Sequence, residues 1–171
     1  EFYHIYSTSR KRLGLPIFPI GFFYSLWKYF YPQNQLTLLL ATYKGKTVGS
    51  NLILKYKDTA IIEYGADLID YRPLQVNHFL DWSSIVLAYN EGYNKLSFGS
   101  THVETVGLMT YKNRWGTRQD WLPIYYYPSN ISILSKKKNN SIKYKVVRSI
   151  LLYSPENIYK LISNIIYKHL G

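Results

Sequence analysis

The sequence predicts a mixed α/β (α+β) domain in which a mostly antiparallel central sheet is flanked by helices. Three observations lead there. Apolar residues recur at helical spacing up to about residue 31 and then switch to strand-like runs from Leu36 onward. Three of those runs are joined by turns too short for anything but antiparallel hairpins. A long amphipathic stretch and further short strand and helix signals follow, which is the order of a mixed domain.

Taken in chain order, Phe2–Leu13 reads as a helix with Phe2, Ile5 and Tyr6 on one side and Gly14 as its C-terminal cap. Pro16 and Pro19 then break the backbone, because the residue before a proline avoids the α region. A second helix spans Pro19 to Tyr31, with Phe22, Phe23, Leu26, Trp27 and Phe30 at helical spacing and Pro32 as its stop. Leu36–Tyr43, Thr47–Lys57 and Thr59–Ala66 are three strands of a meander. Pro73 is placed to open a long helix that runs to about Tyr89. Its apolar stripe is Val76, Phe79/Leu80, Ser83 and Val86/Leu87, and its polar face shows Asn77, Asp81 and Ser84. Lys95–Phe98 is a short strand, Glu104–Tyr111 is helical, and Trp121–Tyr127 is a last, aromatic strand. Structure resumes at Val146–Tyr153. Ser154-Pro155-Glu156 then starts a helix, with Ser154 as its cap, carrying Ile158, Leu161, Ile162, Ile165 and Ile166 on one side.

The domain expected from this order covers residues 1–128. A flexible basic linker is expected at 129–141, where lysines and asparagines show no period, and a C-terminal amphipathic helical extension at 142–171, packed on or next to the domain. With 171 residues and 47% hydrophobic content, the chain is long and apolar enough for one buried core, which excludes disorder for most of it. The absence of cysteine excludes a disulfide framework, a thiolate zinc site and a cysteine nucleophile. No apolar run approaches the ~18–20 residues of a membrane-spanning helix, and the first residues carry no signal-peptide pattern. A chain that begins at Glu1 is expected to be processed or cut from something longer.

Charge is distributed unevenly. Residues 129–171 hold 8 basic residues and one acid, Glu156, whereas residues 68–128 balance at 5 and 5. Such a basic end suits an anionic partner, either nucleic acid or a membrane surface, and equally suits a solvated tail. The four histidines show no zinc-ligand spacing, so no metal is expected. His102 follows the short strand in a loop, where binding groups concentrate. Lys112, Arg114 and Trp115 place two cations and an indole within four residues. That grouping suits a phosphate or nucleotide-like ligand, or negative charge developing on an acyl carbonyl, or a basic surface turn anchored by its tryptophan.

The order of elements matches the GNAT-type acyltransferase fold. The chain also resembles the Fem-type family, the peptidoglycan interpeptide-bridge aminoacyl transferases and their GNAT-like relatives. The resemblance rests on short marks in register across residues 3–127: Tyr6–Pro16, Phe22-Phe23, Lys44–Ser50, Glu63–Ala66, Asn77–Trp82, Ala88–Gly92, Phe98-Gly99 and Tyr111–Gly116. It implies a transferase that moves an aminoacyl or acyl group to an amine of a cell-envelope or polysaccharide precursor. Lys112 would be the catalytic cation. Arg114, Trp115, Tyr64, Asn77 and His102 would bind substrate. No tightly bound cofactor is implied; the donor would be aminoacyl-tRNA or acyl-CoA, and the partner an anionic molecule such as tRNA or a nucleotide-linked precursor. The corresponding location is cytoplasmic, peripheral to the membrane through the C-terminal helix. The alternative is a non-catalytic tRNA-binding or peripheral membrane module that keeps the fold.

Two departures from the family pattern are visible. Ser97 stands where an Asp commonly precedes Phe-Gly, and the chain has the length of one lobe where the family usually has two. Moreover, the strand-to-helix junction Ala66–Leu74 has no glycine and contains Pro73, whereas acyl-CoA-dependent relatives carry a [QR]xxGx[GA] turn there that offers backbone N–H groups to a pyrophosphate.

Overall fold

β1 (Leu36–Tyr43), β2 (Lys46–Tyr56) and β3 (Thr59–Asp67) form the expected antiparallel meander, and β4 (Lys95–Ser97) joins β3 in parallel, giving the order β1-β2-β3-β4. The computed structural model of the protein describes residues 1–123, 125, 127 and 142–168. The expected linker at 129–141 lies outside the described residues, as does His169.

One face of the sheet is covered by α1 (Phe2–Arg12), α2 (Ile20–Phe30), α5 (Ile142–Tyr153) and α6 (Glu156–Lys168). Phe2, Ile5, Tyr6 and Phe23 meet Leu36, Leu52 and Ala66 there, and Leu151 and Tyr159 close the same cluster from the C-terminal helices. Burying each such large side chain contributes roughly 1.5–3 kcal/mol. Tyr159 is wholly buried, and its hydroxyl donates to the Leu15 carbonyl at 2.8 Å, so the polar tip is satisfied as the ring packs. α6 begins at Glu156, one residue later than a Ser154 cap requires; the Ser154 hydroxyl is buried and has no hydrogen-bond partner among the described residues.

The opposite face carries α3 (Val76–Asn90), with α4 (Val106–Asn113) beside it. α3 differs from expectation in start and in rotation. Pro73 belongs to a 3-10 turn, Ile69–Leu74, and Gln75 then adopts a left-handed backbone, so the helix starts at Val76. The buried residues are Val76, Leu80, Asp81, Ser84 and Ala88, while Phe79, Trp82, Val86 and Tyr89 are exposed. Gly49 explains the close approach: a Cβ there would collide with the Val76 side chain and lie 3.0 Å from Leu80 Cδ1. Residues 121–123, 125 and 127 of the expected Trp121–Tyr127 strand lie in no strand, its other residues fall outside the described ones, and among the described residues the sheet has four strands. Aromatic propensity alone does not make a strand.

Candidate functional site

The site arises from a split in the sheet. β4 pairs with β3 only from Thr59↔Lys95 to Ile61↔Ser97. Immediately beyond, the β2/β3 register skips Glu63, a bulge that bends β3. β3 then runs on to Asp67 with no strand on its outer edge among the described residues, while the chain after β4 leaves the ladder at Phe98, Gly99 still lying against the Ile62 carbonyl.

α4 delivers Tyr111 and Lys112 next to this opening. Lys112 Nζ donates to the Gly99 carbonyl at 2.8 Å. Tyr111 donates from its hydroxyl to Asp81 Oδ2 at 2.6 Å. Asp81 is buried on the sheet side of α3, and its Oδ1 accepts from Asn51 Nδ2 at 3.1 Å. The same amide donates to Ser84 Oγ at 3.2 Å, and Ser84 in turn donates to the Leu80 carbonyl at 2.7 Å. Gly65, paired across the sheet with Asn51, leaves room for this network, since a Cβ there would lie 3.0 Å from Asn51 Oδ1. The carboxylate is thus held by two donors, as a buried charge must be.

Burial pulls the Lys112 ammonium below the usual lysine range, and the negative charge of Asp81 opposes that pull. The Tyr111 hydroxyl is pushed well above its usual range by burial and by donating to Asp81. The cluster therefore presents a half-buried ammonium beside a proton-retaining phenol whose partner is a buried carboxylate.

Trp115 completes the wall. Its ring centroid lies 6.1 Å from Phe98 and 6.0 Å from His78, and His78 meets Tyr111 edge-on at 5.0 Å. Lys112 and Trp115 are thus brought to one place. Asn77 is half-buried in the first turn of α3, one residue before His78. Arg114 is exposed at the C-terminal end of α4. His102 sits exposed in the β4–α4 loop, its Nδ1 accepting from the Glu104 N–H at 3.3 Å. Tyr64 is elsewhere: it packs against Phe23 at 5.3 Å and Tyr6 at 6.0 Å in the core on the opposite face, where burial pushes its hydroxyl up to about 12. Asp81 and Asn51 were not among the expected site residues. A signal for them existed: Asn51 interrupts the apolar run of β2, and a polar side chain there needs a partner from the helix above.

At the end of β3, Asp67 is buried and pairs with Arg72 at 2.6 and 3.3 Å and with Arg12 at 3.8 Å. The N–H groups of Tyr71 and Gln75 are used within the turn, by Leu68 and Arg72 carbonyls. The strand-to-helix junction thus carries guanidinium groups, paired with Asp67, where acyl-CoA-dependent relatives carry glycine amides. A separate cleft of about 340 Å³, between α1 and the C-terminal helices, is lined by Ser7, Thr8, Lys11, Arg12, Leu152 and Glu156 and holds none of the expected site residues. Among the described residues, no group of three or more His, Asp or Glu is placed to hold a metal ion.

The family model described as an acetyltransferase (GNAT) domain matches residues 2–113, which span α1 to the end of α4. The chain belongs to that family. Solved GNAT-fold structures agree. The aminoglycoside acetyltransferase AAC(6')-Iy, in complex with the bisubstrate analogue CoA-S-monomethyl-acetylneamine, superposes with a TM-score of 0.58 at 16% identity, covering 74% of this chain and 91% of that one. An aminoglycoside acetyltransferase from an uncultured soil metagenomic sample, in complex with sisomicin, gives 0.56 at 15% identity over 75% and 86%. The ribosomal-protein-alanine N-acetyltransferase of Brucella melitensis biovar Abortus 2308 gives 0.52 at 15% identity over 72% and 91%. At these identities the likeness is one of fold. No curated protein matches the chain.

Proposed function

We propose that the protein is an N-acyltransferase that moves an acyl or aminoacyl group from an activated, anionic carrier to an amine of a cell-envelope or polysaccharide precursor. The observation that carries the proposal is the half-buried Lys112 ammonium at the mouth of the β3/β4 split, held by the Gly99 carbonyl and flanked by Asp81. The amine nitrogen of the acceptor attacks the acyl carbonyl, a C–N bond forms, and the carbonyl electrons move onto oxygen. Of the three N–H donors of Lys112 one is engaged by Gly99, which leaves two for that oxyanion. As the intermediate collapses, the bond to the carrier breaks and the proton lost by the amine passes to the departing carrier or to solvent. Trp115 and Phe98 supply an apolar wall that strengthens the electrostatic contact by limiting access of water.

The AAC(6')-Iy complex holds a bisubstrate analogue built on coenzyme A, which supports an acyl thioester as donor. The exposed Arg72 at the junction is the cation such a carrier's phosphates would meet first. The envelope or polysaccharide acceptor is supported by the Fem-type marks in the sequence.

The test is transfer of radiolabelled acyl groups to a panel of amines, with acetyl-CoA and aminoacyl-tRNA as alternative donors. Lys112→Ala is expected to lower kcat by about 10²–10³, while the loss of one half-buried hydrogen bond costs only about 1 kcal/mol of stability. Arg114→Ala, with its exposed side chain, is expected to raise KM and leave kcat nearly unchanged. A fully active Lys112→Ala enzyme would remove Lys112 from the mechanism. A wild-type chain that binds tRNA without turnover of either donor would replace the enzyme reading with a binding one.

A further inference from the structure

We infer that the outer surface of the C-terminal helical hairpin, α5 with α6, docks on a membrane surface rich in anionic lipid. This stands apart from the reading of Lys112 and rests on other residues. α6 turns Tyr159 and Ser163 inward, with Ile162 and Ile166 partly covered. Its apolar arc continues past that contact: Ile158, Leu161 and Ile165 are about half exposed, at 48%, 60% and 52%. α5 does the same. Leu151 is buried, whereas Val146, Ile150 and Tyr153, spaced by four and three residues, face outward. A helix that serves only the core of a soluble domain carries polar residues on its outer face.

The charges around these stripes are of one sign. Residues 142–168 contain five basic residues and a single acid. That acid, Glu156, is tied to Lys160 at 2.6 Å, and Lys145, Arg148 and Lys168 remain exposed. On the same side of the sheet, α2 and the turn after it expose Tyr24, Trp27 and Tyr31 around Lys28. Apolar residues and Trp or Tyr rings interleaved with lysines are the chemistry of a helix lying in a lipid headgroup layer. A second copy of the chain is the less suitable occupant, because it would bring two net-positive faces together. Helices of 12 and 13 residues are too short to span a bilayer, so the hairpin lies on the surface.

Sedimentation of the whole chain with vesicles tests this. The probes are phosphatidylcholine vesicles and the same vesicles with about one-third phosphatidylglycerol. With two or three basic residues acting near the surface, binding to the anionic vesicles is expected to be about a hundredfold tighter and to weaken with salt. Leu161→Glu/Ile165→Glu, at exposed positions, is expected to lose vesicle binding and to keep the thermal midpoint of the parent. Lys145→Gln/Lys168→Gln is expected to cut the preference for anionic vesicles by about thirtyfold. Equal binding to both vesicles, binding to neither, or full binding by the double glutamate variant would overturn the inference. So would a concentration-dependent dimer that the glutamate variant dissolves, since that would assign the face to a second copy.

Discussion

Replacing Asp81 by asparagine perturbs the site without changing its shape, and its consequences can be worked out from the geometry. The carboxylate accepts from Tyr111 at 2.6 Å and from Asn51 at 3.1 Å. An asparagine keeps an accepting oxygen for Asn51 and turns its N–H toward the Tyr111 hydroxyl, which can accept it, so two charge-assisted bonds become neutral ones. A hydrogen bond to a charged group contributes about 1.5–3 kcal/mol. Asp81→Asn is therefore expected to cost about 2–3 kcal/mol, a midpoint lowered by about 5–10 °C for a chain of this size. Tyr111→Phe removes the shorter bond alone and is expected to cost about the same. Because the two changes act on a shared contact, the double variant should fall short of additivity by about 1.5–3 kcal/mol in urea unfolding. Additivity within about 0.5 kcal/mol would refute the network as an energetic unit.

The same substitution has a kinetic signature. The Asp81 charge opposes the effect of burial on Lys112, so its removal lets the ammonium deprotonate at lower pH. If the protonated form is the active one, the alkaline limb of the kcat profile moves to lower pH in Asp81→Asn. An unmoved limb would detach Asp81 from Lys112, whatever the stability result.

Tyr6 and Tyr64 have hydroxyls raised by burial to about 12. The unfolded chain ionises these groups near 10, so it binds fewer protons than the folded chain above that pH. Stability is therefore complete below pH 10 and falls as pH rises toward 12. Urea midpoints measured across that window should drop steeply, and Tyr64→Phe should flatten the slope; an unchanged slope would contradict the burial of this ring. Gly49→Ala places a Cβ against Val76 and Leu80 and is expected to cost about 1–3 kcal/mol by overpacking, with a thermal midpoint equal to wild type as the contrary result.

The meander was legible in the sequence because Lys44-Gly45 and Lys57-Asp58 leave no room for anything but hairpin turns, and the structure places left-handed residues at Lys44, Gly45 and Lys57. The parallel return of β4 was legible only through element order. Trp121 lies in no strand although its type favours one, since aromatic propensity counts only where a neighbouring strand is there to pair with it. Lys112 and Trp115 were legible as a pair because they lie three residues apart around the end of one helix. Tyr64 was not separable from them by motif, since strand alternation and the Glu63 bulge decide its face, and the bulge has no sequence mark of its own.

α3 shows most clearly why the inner half of the site escaped a reading of hydrophobic periodicity. Weighing residues by apolarity turns Phe79 and Val86 inward, yet they are exposed. What decides the rotation is size. The row Val76, Leu80, Ser84 and Ala88 repeats every four residues and ends in two small side chains, and Gly49 on β2 is recessed beneath its first two members. Small side chains on both surfaces let the helix axis lie close to the sheet; a Trp in that row would hold it away and open voids on either side. Once the small row faces the sheet, Asp81 is carried inward beside Leu80, and its carboxylate is tolerable only because Asn51 and Tyr111 meet it. The polar network is therefore a consequence of close packing, and the exposed aromatic stripe is its counterpart on the same helix. Tyr111 arrives from α4, so the packing of one helix on the sheet fixes where the next one sets Lys112.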